Sequence, residues 1–89
     1  MTKETKTSAQ ILIIRIWDLE EQWKRINDPQ LNWYGNMTFR RLSEAELDRS
    51  VRVAELEKRT RKELRALIGT WEYVRFIFNE ARYMKNLCL

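Results

Sequence analysis

Histidine is absent from these 89 residues, and there is a single cysteine, Cys88. A Cys/His metal site is therefore excluded, no histidine can act as general base, and no internal disulfide can form. Proline occurs once, at Pro29, and glycine twice, at Gly35 and Gly69. So few breakers, in a chain rich in Leu, Glu, Lys and Arg, favour helix over sheet. They also leave no glycine-rich loop to cradle a phosphate. Long apolar runs are missing as well. The run Ile11-Leu12-Ile13-Ile14 is stopped by Arg15 and Asp18, far short of the ~20 residues of a membrane span. It is also too short and wrongly followed for a signal peptide. No membrane association and a cytoplasmic location are the expectations.

What is present is charge and aromatic surface. Charged residues make up 34% of the chain and aromatics 11%, which suits exposed helix faces around a core and argues against plain disorder. The 17 Lys and Arg outnumber the 13 Asp and Glu, for a formal net charge of +4. That balance permits an acidic partner, protein or nucleic acid, without requiring one. A chain this short makes one domain at most, with a marginal core of its own. With disulfide and metal excluded, a second copy or a larger protein is the expected source of extra stability.

Residues 1–7 are polar and read as a flexible arm; residues 8–89 read as a single helical domain. Within it, 8–27 is a first helix with Ser8 as N-cap. Ala9, Leu12, Ile16, Leu19, Trp23 and Ile26 repeat at alternating three and four, a heptad-like seam. The isoleucines of its first half favour strand, but the helical spacing carries on through the charged half. Ile11, Ile13, Ile14 and Trp17 widen the apolar surface, so this helix wants two neighbours. Pro29 disfavours helix at Asp28. Residues 28–42 are the connection, expected to fold its aromatics over the end of the helices with one short helical turn at 29–33.

Leu42, Ser43, Glu46 and Leu47 then give the strongest local signal. Ser43 as N-cap with Glu46 three residues on is a capping box, and Leu42 with Leu47 can form the hydrophobic staple. From this start, Val53, Leu56, Thr60, Leu64, Leu67, Trp71, Val74, Phe78 and Ala81 make one stripe. The expected fold class is all-α: a helical hairpin with a long second helix over 43–86. Broken at Gly69, the same sequence gives a three-helix bundle. The phase runs through Gly69 without a slip, which favours the continuous helix. Such a helix would span roughly 65 Å at 1.5 Å per residue, more than twice the first. Its distal aromatics must then meet another chain or fold back at Gly69.

In the connection, Trp33-Tyr34-Gly35 is a W-x-G between two helices and resembles the turn of the small secreted WXG helical-hairpin proteins. The match covers that turn alone. Four residues after Tyr73 and Tyr83 stand Ile77 and Leu87 instead of an acid, and the chain is not assigned to that family.

Catalytic chemistry has little to draw on. Ser43, Ser50 and Cys88 are the candidate nucleophiles considered, with no histidine to activate them. Catalytic, metal and cofactor residues are therefore none. The expected function is a non-enzymatic protein-interaction module, acting as a regulator, inhibitor or assembly factor on a larger protein as a homodimer. Trp71, Val74, Phe76 and Phe78 are the candidate self-association residues. Lys58, Arg61, Lys62 and Arg65 fall within an arc of about 100° opposite the main stripe; with Trp33 and Tyr34 they are candidates for binding a partner. The same basic face carries the alternative function, binding of DNA or double-stranded RNA.

Overall fold

Two helices run antiparallel and two shorter ones close over one end, in a computed structural model that describes residues 1–27, the backbone of 30–31 and 37–38, and residues 43–88. Helix α1 is Lys3–Asn27. It starts ahead of Ser8, inside the expected arm, because Thr2 provides an earlier cap. The Thr5 backbone N–H donates to Thr2 Oγ1 at 3.2 Å, and Lys6 N–H to the Thr2 carbonyl at 3.0 Å. A polar first turn has no apolar period to betray it, so Ser8 is the first cap that periodicity can see.

In the connection, β1 (Gln30–Leu31) pairs antiparallel with β2 (Met37–Thr38), with Gln30 opposite Thr38 and Leu31 opposite Met37. Gln30 and Leu31 are thus extended, where a helical turn was expected; the ladder supplies backbone partners that Pro29 prevents a preceding helix from offering. Trp33, Tyr34 and Leu42 lie outside the described residues, and with Leu42 the expected staple; Leu47 itself is exposed.

Helix α2, Glu44–Ile68, begins with the capping box in full. Glu46 N–H donates to Ser43 Oγ at 3.2 Å, and Ser43 N–H to Glu46 Oε1 at 3.5 Å. The long second helix does not continue. Gly69 has φ 91° and ψ 163°, a combination in which side chains other than hydrogen are strained. Its N–H still closes the last turn of α2 on the Arg65 carbonyl at 2.9 Å, and its carbonyl opens α3 by accepting from Tyr73 N–H at 3.0 Å. The backbone ladder therefore passes the break with both neighbouring turns bonded. Helix α3 is Thr70–Phe78. A second break follows at Asn79, whose Oδ1 caps α4 (Glu80–Leu87) by accepting from Arg82 N–H at 3.1 Å. Gly69→Ala should cost about 1–3 kcal/mol, the scale of a residue held in such a backbone region, read as a lowered urea midpoint.

The core has two parts. Near the connection, Leu19 and Ile26 of α1 meet Val53 of α2, and Asn27 Nδ2 donates to the buried Ser50 hydroxyl at 3.0 Å. At the far end, Ala9, Ile13 and Ile16 of α1 pack with Leu64, Phe76, Tyr83 and Leu87. Tyr83 stands edge-on to Phe76, with ring centroids 5.8 Å apart. Gln10 Nε2 ties α1 to the end of α4 through the Leu87 carbonyl at 2.9 Å. Helix α1 thus has its two neighbours, α2 along its length and α4 at its start. Ile13 belongs to the core and Trp17 packs against it, while Ile11 and Ile14 stay exposed.

Candidate protein-docking surface

Helix α3 is apolar on both sides, and the break at Gly69 decides which side turns in. Phe76 is fully buried. Trp71, Val74 and Phe78 fall within an arc of about 60° on the opposite side, and all three are exposed. Trp71 is 85% exposed and Phe78 90%, more than any other large apolar side chain among the described residues. Of the four expected self-association residues, three are thus brought together on one outward ridge. Phe76 is not with them: it fills the core between Tyr73 and Tyr83, because a rigid helix cannot present residues 76 and 78 to the same neighbour.

The basic face divides in the same way. Lys58, Lys62 and Arg65 are exposed on the outer side of α2. Arg61, at the edge of their arc, is turned inward and joins three helices. Its Nε donates to Glu57 Oε1 on its own helix at 3.2 Å, and Nη2 donates to Glu20 Oε1 of α1. Nη2 also lies 3.6 Å from Glu80 Oε1 of α4. That last pair is ionic and too long for a hydrogen bond, so this buried oxygen has no hydrogen-bond partner among the described residues. Burial opposes the Arg61 charge, but hydrogen bonds with Tyr73 and Glu57 and the charge of Glu20 outweigh it and hold the guanidinium above its ordinary pKa. Burial also lifts the Glu57 carboxyl above its ordinary value; the Arg61 hydrogen bond opposes this, and the Glu20 carboxylate adds to the rise. Arg61 is therefore an internal tie and is removed from the candidate contact residues.

Beside the α3 ridge lies an open groove of about 820 Å³, between the start of α1, the end of α2, α3 and α4. Leu67, Val74 and Phe78 contribute apolar lining, and Lys6, Arg75 and Arg82 positive charge. Glu72 is the one acid among the described lining residues. Its Oε1 accepts from Arg75 Nη1 at 3.3 Å and its Oε2 from the Tyr83 hydroxyl at 3.0 Å. Burial, with the Glu72 carboxylate beside it, pushes the Tyr83 phenol up to about 12. The hydroxyl thus remains a donor across the ordinary pH range.

Sequence reasoning did not single out Lys6, Arg75 or Arg82. Arg75 and Arg82 are seven residues apart, a helical spacing that could have paired them. Nothing local links Lys6 to either, since α1 and α4 bring it there. Among the described residues, no group of three His, Cys, Asp or Glu side chains could hold a metal ion, and no helix is long and apolar enough to cross a membrane.

The class that fold and surface define is a small all-α bundle with one helix apolar on both sides. Set against protein-family models, curated proteins and solved structures, the chain matches none.

Proposed function

We propose that this chain is a non-enzymatic protein-interaction module. It regulates, inhibits or assembles a larger protein by docking the outward ridge of α3 on it, and it pairs as a homodimer through that ridge when the partner is absent. The observation that carries this reading is the exposure of Trp71 and Phe78 on one face with Val74. An aromatic side chain buries 150–250 Å² when covered, roughly 4–6 kcal/mol of apolar transfer per ring that the isolated chain leaves unmade. Large aromatics in such a position are enriched among the residues that dominate binding energy. Of the candidate nucleophiles, Ser43 caps α2 and Ser50 is held by Asn27, while Cys88 is an exposed free thiol.

Sedimentation velocity tests the paired state. Mass should rise toward the dimer over about 1–100 µM, a common range for modest interfaces, and the double variant Trp71→Ala/Phe78→Ala should stay monomeric with its helical spectrum intact. A wild-type chain that remains monomeric throughout sinks the homodimer.

Nucleic-acid binding is the second reading, favoured by Lys58, Lys62 and Arg65 standing exposed on one side of α2. With Arg61 engaged internally, that face offers three cations for phosphate contacts instead of four.

A further inference from the structure

We infer that the groove flanking α3 receives an acidic amphipathic helix from the larger partner. The inference rests on the interaction-module reading and supplies the chemistry of the occupant. Apart from Met1 and Asn79, helical residues form the described walls of the groove, and these offer no strand edge for β-addition. A helix fits by laying its side-chain ridges between theirs. Leu67, Val74 and Phe78 are exposed there and provide the apolar lining that such a helix needs.

Charge selects among occupants. Lys6, Arg75 and Arg82 line the groove. Glu72 cannot repel an acidic ligand strongly, because Arg75 and the Tyr83 hydroxyl already hold both of its oxygens. Among the described residues, no carboxylate lies within ion-pair distance of Lys6 or Arg82, and both cations line the groove. A second copy fits less well. A two-fold interface sets a patch against itself, which would bring two sets of these cations together on chains that each carry a formal +4. Self-pairing over this region is therefore weak and strengthened by salt, whereas an acidic helix is held more tightly and weakened by salt. A phosphate backbone would satisfy the cations but leave the apolar lining in water.

Fluorescence anisotropy with two labelled peptide helices tests this. Both carry the same leucine face; one has glutamates on its polar side and the other lysines. The acidic peptide should bind at least about tenfold more tightly at low salt, and the preference should shrink as ionic strength rises through about 0.5 M. The charge-swapped variant Lys6→Glu/Arg82→Glu should invert the preference, and Phe78→Ala should weaken both peptides. The inference is overturned if the two peptides bind equally, or if the swap leaves the preference unchanged. It is also overturned if a duplex oligonucleotide binds more tightly than the acidic peptide and depends on Arg82. Binding of neither peptide by a chain that still self-associates overturns the acidic helix alone and spares the interaction module. Binding of neither by a folded chain that stays monomeric overturns both.

Discussion

Phe76→Ala should destabilise the chain by about 3–5 kcal/mol, the scale for emptying a buried aromatic site. Phe78→Ala, two residues along, should shift stability by less than about 0.5 kcal/mol, as surface changes do. The side chains are identical; only their surroundings differ. Phe76 is fully buried among Ile13, Ile16, Leu64 and Tyr83, and Phe78 meets solvent over nine-tenths of its surface. Domains of this size hold only about 5–15 kcal/mol in total, so Phe76→Ala should remove a large share of the stability. Urea titration followed by far-UV circular dichroism reads both variants. A Phe78→Ala cost equal to that of Phe76→Ala would mean that α3 sits with its other face inward.

Arg61→Met should also weaken the fold strongly, by about 2–4 kcal/mol. Removing one member of a fully buried ion pair costs 3–5 kcal/mol, and a quarter of the Arg61 side chain remains exposed, which softens the loss. Three carboxylates from three helices then face one another without their shared cation. Arg61→Lys should recover only part of the loss, since an ammonium cannot reach several acceptors with the fixed fork of a guanidinium.

The same cluster sets a pH dependence. Glu57 has a folded-state pKa above its unfolded value, from burial first and the Glu20 carboxylate besides, so between those two values the native state holds more protons than the unfolded. Its contribution is fully present below the unfolded value and is lost as pH rises through the folded one. Arg61 is what restrains that rise. Its removal should widen the window and make the variant lose stability more steeply than wild type as pH rises from the ordinary carboxylate range. Urea midpoints across that rise check it, and a parallel offset of the two curves would count against the cluster.

Much of the fold is legible because its signals are local. The Ser43–Glu46 box fixes the start of α2 within four residues, and the seam from Ala9 to Ile26 turns inward except at Trp23, which is exposed. Gly69 is different. The residue announces a break, yet the stripe from Leu64 through Trp71 keeps its phase, and phase alone favours continuity. Asn79 is harder still, since the apolar pattern of α3 and α4 runs past it unaltered. Two apolar stripes exist on α3, one through Trp71, Val74 and Phe78 and one through Tyr73 and Phe76. Their spacing cannot say which is buried; Ile13 and Ile16, some sixty residues away in sequence, decide that. Arg61 follows the same rule. Its helical neighbour Glu57 is visible in the sequence, while Glu20 and Glu80 reach it only through the packing of α1 and α4.

Helix α3 assigns core packing and solvent exposure to opposite sides of nine residues. Substitutions at 71, 74 and 78 meet few constraints from the interior, so the outward ridge can be redrawn with little effect on Phe76, Tyr83 or the helices behind them. Outer surface and foldability are thereby separately adjustable: most members of a library randomised at those three positions should remain folded, and under the proposed docking role some should acquire new binding partners.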